Sequence, residues 1–240
     1  MSRSAQLQPV QPSHGQQRPV SYIARSSYIA PSSSITPSRF GAGLLRQLGR
    51  FSQQGLTLGI PQIDGLEGFT RGALHDIVGE RATVSGFLAA LLGRDRRQAQ
   101  ILWVTSGAGL HAPALAQLGL DHRRLTVVTT PRAGDRCWAA EEALGEKLGY
   151  GAVVAEIDHA DLAITQRLQA AAEKRGATGF LVRQDSGESA AAMRWSVQTA
   201  SSDGFRPCWC LTQESLLGSA ADRSWLVEWD YLTGSFRLVG

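Results

Sequence analysis

The sequence predicts an α/β protein: a predominantly parallel sheet flanked by helices, a C-terminal antiparallel extension, and a disordered N-terminal tail. Three observations carry that expectation. From residue 72, short apolar runs alternate with segments of helical period, the pattern of parallel strands joined by crossover helices. After residue 190, short strand-like runs are separated by polar turns, as in antiparallel sheets. Residues 1 to about 40 are rich in Ser, Gln, Pro and Arg, carry a duplicated Ser21-Tyr-Ile-Ala and Ser27-Tyr-Ile-Ala, and cannot repay their ordering entropy.

Taken in order, a short helix around Gly43 to Arg50 links a tail over residues 1–50 to a domain over residues 51–240. The apolar runs Ala73 to Val78, Ile101 to Thr105, Leu125 to Thr129, Ala152 to Ile157 and Thr178 to Val182 are the expected core strands. Between them the period lengthens, giving helices over Val84 to Leu92, Pro113 to Leu118, Arg136 to Leu148 and Asp161 to Lys174. Asp161 supplies a carboxylate that caps the last of these. Met193 to Thr199, Cys208 to Gln213, Trp225 to Trp229 and Ser235 to Leu238 form the antiparallel extension.

At 240 residues and 43% hydrophobic, the chain can bury one substantial core. Its charge is segregated. Residues 1 to 63 hold six arginines and no acid, whereas the remainder holds 18 basic and 21 acidic side chains, a net −3. The high pI therefore belongs to the tail, and a basic binding face on the folded domain is not expected. Weak, sequence-neutral DNA affinity would reside in the tail arginines. Cys137, Cys208 and Cys210 are an odd set, suited to a reducing compartment, and Cys208 and Cys210 share one strand face around Trp209. No run is long enough to span a membrane and no apolar signal core opens the chain, so a soluble, cytoplasmic protein is expected. An Arg- and Ser-rich start also fits an organelle transit peptide.

The segment Gly72 to Leu92 places a strand, a glycine turn and a helix where a nucleotide-binding domain begins. A phosphate-cradling loop requires Gly, four residues, Gly, Lys and Ser/Thr, which supply ringing amides, an ammonium and a magnesium-holding hydroxyl. Counted from Gly79, this chain offers Val84, Ser85 and Gly86 in the last three places, and its two lysines, Lys147 and Lys174, lie far away. The loop is thus a degenerate P-loop at Gly79, Ser85 and Gly86, set against a strand-turn-helix kept for packing. ATP hydrolysis is not expected, and no cofactor and no metal are expected.

Other constellations are weaker. Gly107-Ala-Gly109-Leu-His-Ala112 has the form of a dinucleotide fingerprint, but Thr129-Thr130-Pro131-Arg132 stands where a ribose-binding acid belongs, with Arg132 a candidate for a 2′-phosphate. The five histidines show no zinc-hydrolase spacing, and neither Ser85 nor Ser106 lies in a nucleophile elbow. Glu141 and Glu142 point about 100 degrees apart on a helix and cannot act as a paired acid and base. Six tryptophans are expected in the core; an exposed one would mark a protein interface.

Gly59-Ile-Pro-Gln-Ile-Asp64, Arg71-Gly-Ala-Leu-His75-Asp-Ile-Val-Gly79, Ile101-Leu-Trp103-Val, His111-Ala-Pro-Ala-Leu-Ala-Gln-Leu-Gly-Leu-Asp121 and Trp138-Ala-Ala-Glu-Glu-Ala-Leu144 occur in that order. Leu162, Arg167-Leu-Gln-Ala-Ala-Ala-Glu173, Gly176-Ala-Thr-Gly179, Ala190-Ala-Ala-Met-Arg194-Trp195 and Trp225-Leu-Val-Glu-Trp229 follow. Together, over residues 56 to about 231, they resemble the bacterial ImuA family.

The resemblance implies a RecA-like fold and a non-catalytic accessory role in SOS-induced, error-prone translesion DNA synthesis. The partners it implies are an ImuB-like protein, an error-prone polymerase III alpha-type subunit and RecA. A SulA-like inhibitor of cell division, from the same superfamily, and an ATP- or NADP-dependent enzyme are the alternatives. Where RecA-type ATPases carry a catalytic glutamate, this chain has Thr105-Ser106-Gly107-Ala108. Glu156 stands where an aspartate would help hold magnesium, a vestigial Walker B position.

Overall fold

The computed structural model describes residues 55–65, 68–107, 110–145, 148–185, 187–202, 204–214 and 223–239. The expected tail and the helix around Gly43 to Arg50 lie outside them. The described chain runs α1 (Pro61–Asp64), β1 (Leu74–Val78), α2 (Arg81–Gly93), β2 (Gln100–Thr105), α3 (Ala112–Gln117), a 3-10 turn (His122–Arg124) and β3 (Leu125–Thr129). It continues through α4 (Ala133–Gly145), β4 (Tyr150–Glu156), α5 (Leu162–Arg175), β5 (Thr178–Arg183), β6 (Met193–Thr199), β7 (Cys208–Glu214), β8 (Arg223–Asp230) and β9 (Ser235–Val239).

These strands form one sheet in the order β3-β2-β4-β5-β1-β6-β7-β8-β9. The predicted α/β class is the observed one, a mostly parallel sheet flanked by helices with an antiparallel C-terminal extension. One strand behaves differently from expectation. Met193 to Thr199, predicted to open the antiparallel part, pairs parallel with β1 and antiparallel with β7, so it is the seam between the two halves. Helix starts also move: α2 begins at Arg81 rather than Val84, and α4 at Ala133 rather than Arg136.

Alternate residues of each strand feed two cores, as the pleat requires. Ile77, Trp103, Val154, Phe180 and Trp195 point to the α2 side, while Leu74, Val104, Val153 and Leu181 point to the α4–α5 side. α2 is apolar around most of its circumference because the sheet curls over it. Phe87 lies 5.8 Å from the rings of Phe69 and Phe236 and 5.9 Å from that of Trp209, so the segment before β1 and the extension grip one helix. Trp225, Val227 and Trp229 share this face as their parity requires, while Cys208 and Cys210 lie on the opposite one. The described cysteines are unpaired.

α5 shows how local chemistry sets an element. Asp161 caps it by accepting from the Ile164 amide at 2.8 Å, and Gly176 ends it in the left-handed conformation at φ 74. Among the described residues, no helix is long and apolar enough to cross a membrane, and no cluster of three His, Cys, Asp or Glu side chains suits a metal ion.

Candidate functional site

The C-terminal ends of β1, β2 and β4 form the rim where parallel α/β sheets place ligands. β1 ends at Val78 and α2 begins at Arg81, so only Gly79 and Glu80 separate them. That turn is too short to encircle a phosphate. Gly79 donates its amide to the Arg183 carbonyl at 3.1 Å, extending the β1–β5 ladder. A Cβ at residue 79 would lie 2.3 Å from the Val197 carbonyl oxygen, because β6 passes directly over the turn.

The mouth of α2 is likewise occupied by the chain itself. Glu80 is its N-cap residue, and its carboxylate accepts from the Thr83 hydroxyl at 3.0 Å. Thr83 also meets the Thr199 hydroxyl of β6 at 2.8 Å. A carboxylate beside the positive end of the helix takes the place that the macrodipole offers an anion. Ser85 and Gly86 sit beyond the first turn: Ser85 is buried, and Gly86 faces Leu118 and Trp209. A helix start at Val84 would place them at the mouth.

Arg81 is the rim residue that the sequence did not single out. Its guanidinium donates to the Ser106 hydroxyl at 3.2 Å and to the Asp158 carboxylate, tying α2 to the loops after β2 and β4. The sequence signal for it was faint: a basic residue two places after the turn glycine, and an acid two places beyond Glu156. Glu156 is buried, and both its carboxylate oxygens are engaged, by Trp103 Nε1 at 3.0 Å and Thr105 Oγ1 at 2.9 Å. Its backbone carbonyl accepts from Arg136 Nε at 2.8 Å. The carboxylate is thus held between β2 and β4, and binding a magnesium ion would require it to release neutral donors inside the core.

The remaining candidates do not converge on this rim. Gly107 turns with φ 106 beside Thr129, but the helix that follows, α3, has only six residues and begins at Ala112. Ala108 and Gly109 lie outside the described residues, and Arg132 is exposed. Glu141 pairs with Arg167 at 2.8 Å along the α4–α5 groove. Of the six tryptophans only Trp138, on α4, is largely exposed, at 65%. His75 is buried in β1, and its Nε2 lies 2.9 Å from the Thr70 carbonyl, to which it donates.

Gly79→Ala is expected to destabilise the protein by about 1–3 kcal/mol, because the clash is with a backbone carbonyl that cannot rotate away. A urea titration checks this. Unchanged stability would mean that β6 does not press on the turn.

No family model matches the chain. Protein ImuA from two strains of Caulobacter vibrioides is 33% identical to it over 140 residues, covering 54% of this chain and 57% of the relative. The chain therefore spans little more than half the length of the curated relatives it matches. The crystal structure of the RadB recombinase superposes with a TM-score of 0.57, covering 77% of this chain and 100% of that chain at 16% identity, a likeness of fold. These findings support the resemblance read from the sequence, to an ImuA-like protein of RecA-like fold.

Proposed function

We propose that this ImuA-like chain is a non-catalytic, RecA-like accessory protein of damage-induced, error-prone translesion DNA synthesis. It acts through protein contacts with an ImuB-like protein, an error-prone polymerase III alpha-type subunit and RecA. One observation carries the non-catalytic part: the turn after β1 is filled from within, by the Arg183 and Val197 carbonyls and the Glu80 carboxylate. A triphosphate would have to displace a ladder bond and a neighbouring strand, and it would meet like charge. Trp138 supports the contact part, since a large exposed indole is the side chain most often found anchoring a protein interface.

Calorimetric titration with magnesium ATP is expected to give no saturable heat, and the purified chain no phosphate release. Trp138→Ala is expected to leave the circular dichroism spectrum unchanged while weakening co-purification with the ImuB-like or polymerase partner by at least about tenfold, the scale of an interface hot spot. Saturable ATP binding, with turnover abolished by Glu156→Gln, would replace the adaptor by an ATPase.

A further inference from the structure

A second constellation lies at the opposite end of the sheet, where β1 and β2 begin. α2 ends at Gly93, and the chain then runs Arg94-Asp95-Arg96-Arg97 before β2, while Arg71 precedes β1. These four arginines line a groove of about 160 Å³ in which Asp95 is the single acid of the lining. Asp95 is already committed. It accepts from Arg71 Nη2 at 2.5 Å and from the Arg97 amide at 3.1 Å, and it lies 4.0 Å from Arg124 Nη2.

Cationic donors therefore outnumber acceptors. The Nε atoms of Arg71 and Arg94 and Nη2 of Arg124 are buried with no hydrogen-bond partner among the described residues. Arg96 and Arg97 are exposed, and their guanidinium groups make no hydrogen bond or ion pair among the described residues. Burial holds the Arg94 guanidinium below its ordinary range; Asp64 opposes this and Arg96 adds to it. Guanidinium charge gathered around one shared carboxylate is costly, and an anion in the groove would offset it.

A structural role accounts for part of the cluster only. Arg124 donates to the Ala99 carbonyl at 3.0 Å and to the Leu92 carbonyl at 3.2 Å, which fastens the end of α2. Arg96 and Arg97 have no such task. Composition does not account for them either, since residues 64 to 240 carry a net −3. Gly55 lines the same groove and lies, in sequence, within the acid-free segment over residues 1 to 63 that holds six arginines.

We propose that this groove binds the phosphodiester backbone of nucleic acid, with Arg71 and Arg94 forming its floor and Arg96 and Arg97 its exposed rim. The guanidinium groups of the lining offer donors to phosphate oxygens, so recognition is sequence-neutral. The assignment goes beyond the adaptor reading and does not depend on it. It differs from the sequence-based expectation, which placed any nucleic-acid affinity in the tail arginines.

The test uses the full chain, fluorescence anisotropy of labelled single-stranded and duplex oligonucleotides, and a salt series. Arg96→Glu with Arg97→Glu is expected to weaken binding at least about tenfold and to lower the slope of log affinity against log salt by about 2. Lys174→Glu with Arg223→Glu, an equal change of net charge elsewhere on the fold, is expected to change affinity by less than about twofold, as for any charge outside the contacted surface. Inorganic phosphate at matched ionic strength is expected to compete poorly, since it replaces one contact of several. Three results overturn the proposal: undiminished binding by the Arg96/Arg97 variant, an equal loss in the control pair, or full displacement by inorganic phosphate at an equal concentration of phosphate groups.

Discussion

Asp76→Ala is expected to cost about 3–5 kcal/mol of folding stability, the scale for removing one partner of a buried ion pair. Asp76 is wholly buried in β1 and receives two guanidinium groups. Arg183 of β5 donates through Nε at 2.9 Å and Nη2 at 2.5 Å, and Arg194 of β6 donates at 3.1 and 3.0 Å. Arg183 is itself buried and also meets the carbonyls of Ala160 at 3.1 Å and Gly187 at 2.7 Å. Removing the carboxylate leaves the positive charge of two guanidiniums inside the fold. Three adjacent strands are tied at this point, so the loss falls on the seam between the parallel and antiparallel halves. Asp76→Asn, which keeps the shape and part of the hydrogen bonding, should fall between the parent and the alanine variant. Urea unfolding of the three proteins checks the order, and an alanine variant within about 1 kcal/mol of the parent would show that water reaches the arginines.

The second large effect is a dependence on pH centred on His75. Burial lowers its pKa from 6.5 to about 4, with the hydrogen bond to the Thr70 carbonyl opposing the shift. Its Nδ1 has no partner among the described residues, so protonation would bury an unpaired donor between Phe69 and Phe180. The unfolded chain takes up a proton near pH 6.5, and the folded chain only near pH 4. Between those values the unfolded state holds more protons, so stability falls as the solution is acidified and is fully present above pH 6.5. The loss attributable to this residue is on the order of 3 kcal/mol. His75→Phe fits the aromatic surroundings and should flatten that part of the profile, although it forfeits the bond to Thr70. Unfolding free energies measured across this range test the assignment, and an unchanged slope in the variant would place the titration elsewhere.

Much of the fold was legible because each strand and helix carries its own signal. The run Ile101 to Thr105 reads as a strand, and Asp161 and Gly176 bracket a helix by their own backbone chemistry. Strand parity alone puts Trp225, Val227 and Trp229 on one face. The site was less legible. The alignment from Gly79 to Gly86 assumed a loop of phosphate-binding length, and nothing local reveals that α2 starts at Arg81 or that Val197 lies over the turn.

Periodicity determined the class and the order of the elements, and the residues counted from Gly79 showed the absence of the lysine that a phosphate loop needs. Tertiary structure decided what meets what. Asp76 finds its two arginines 107 and 118 positions away, and Arg81 finds Asp158 across 77. Arg71, Arg94, Arg96 and Arg97 gather into one groove only because β1 and β2 begin at the same end of the sheet. Backbone preferences act over a few residues, whereas the closing of a turn or the gathering of charge depends on strand order, a property of the whole chain.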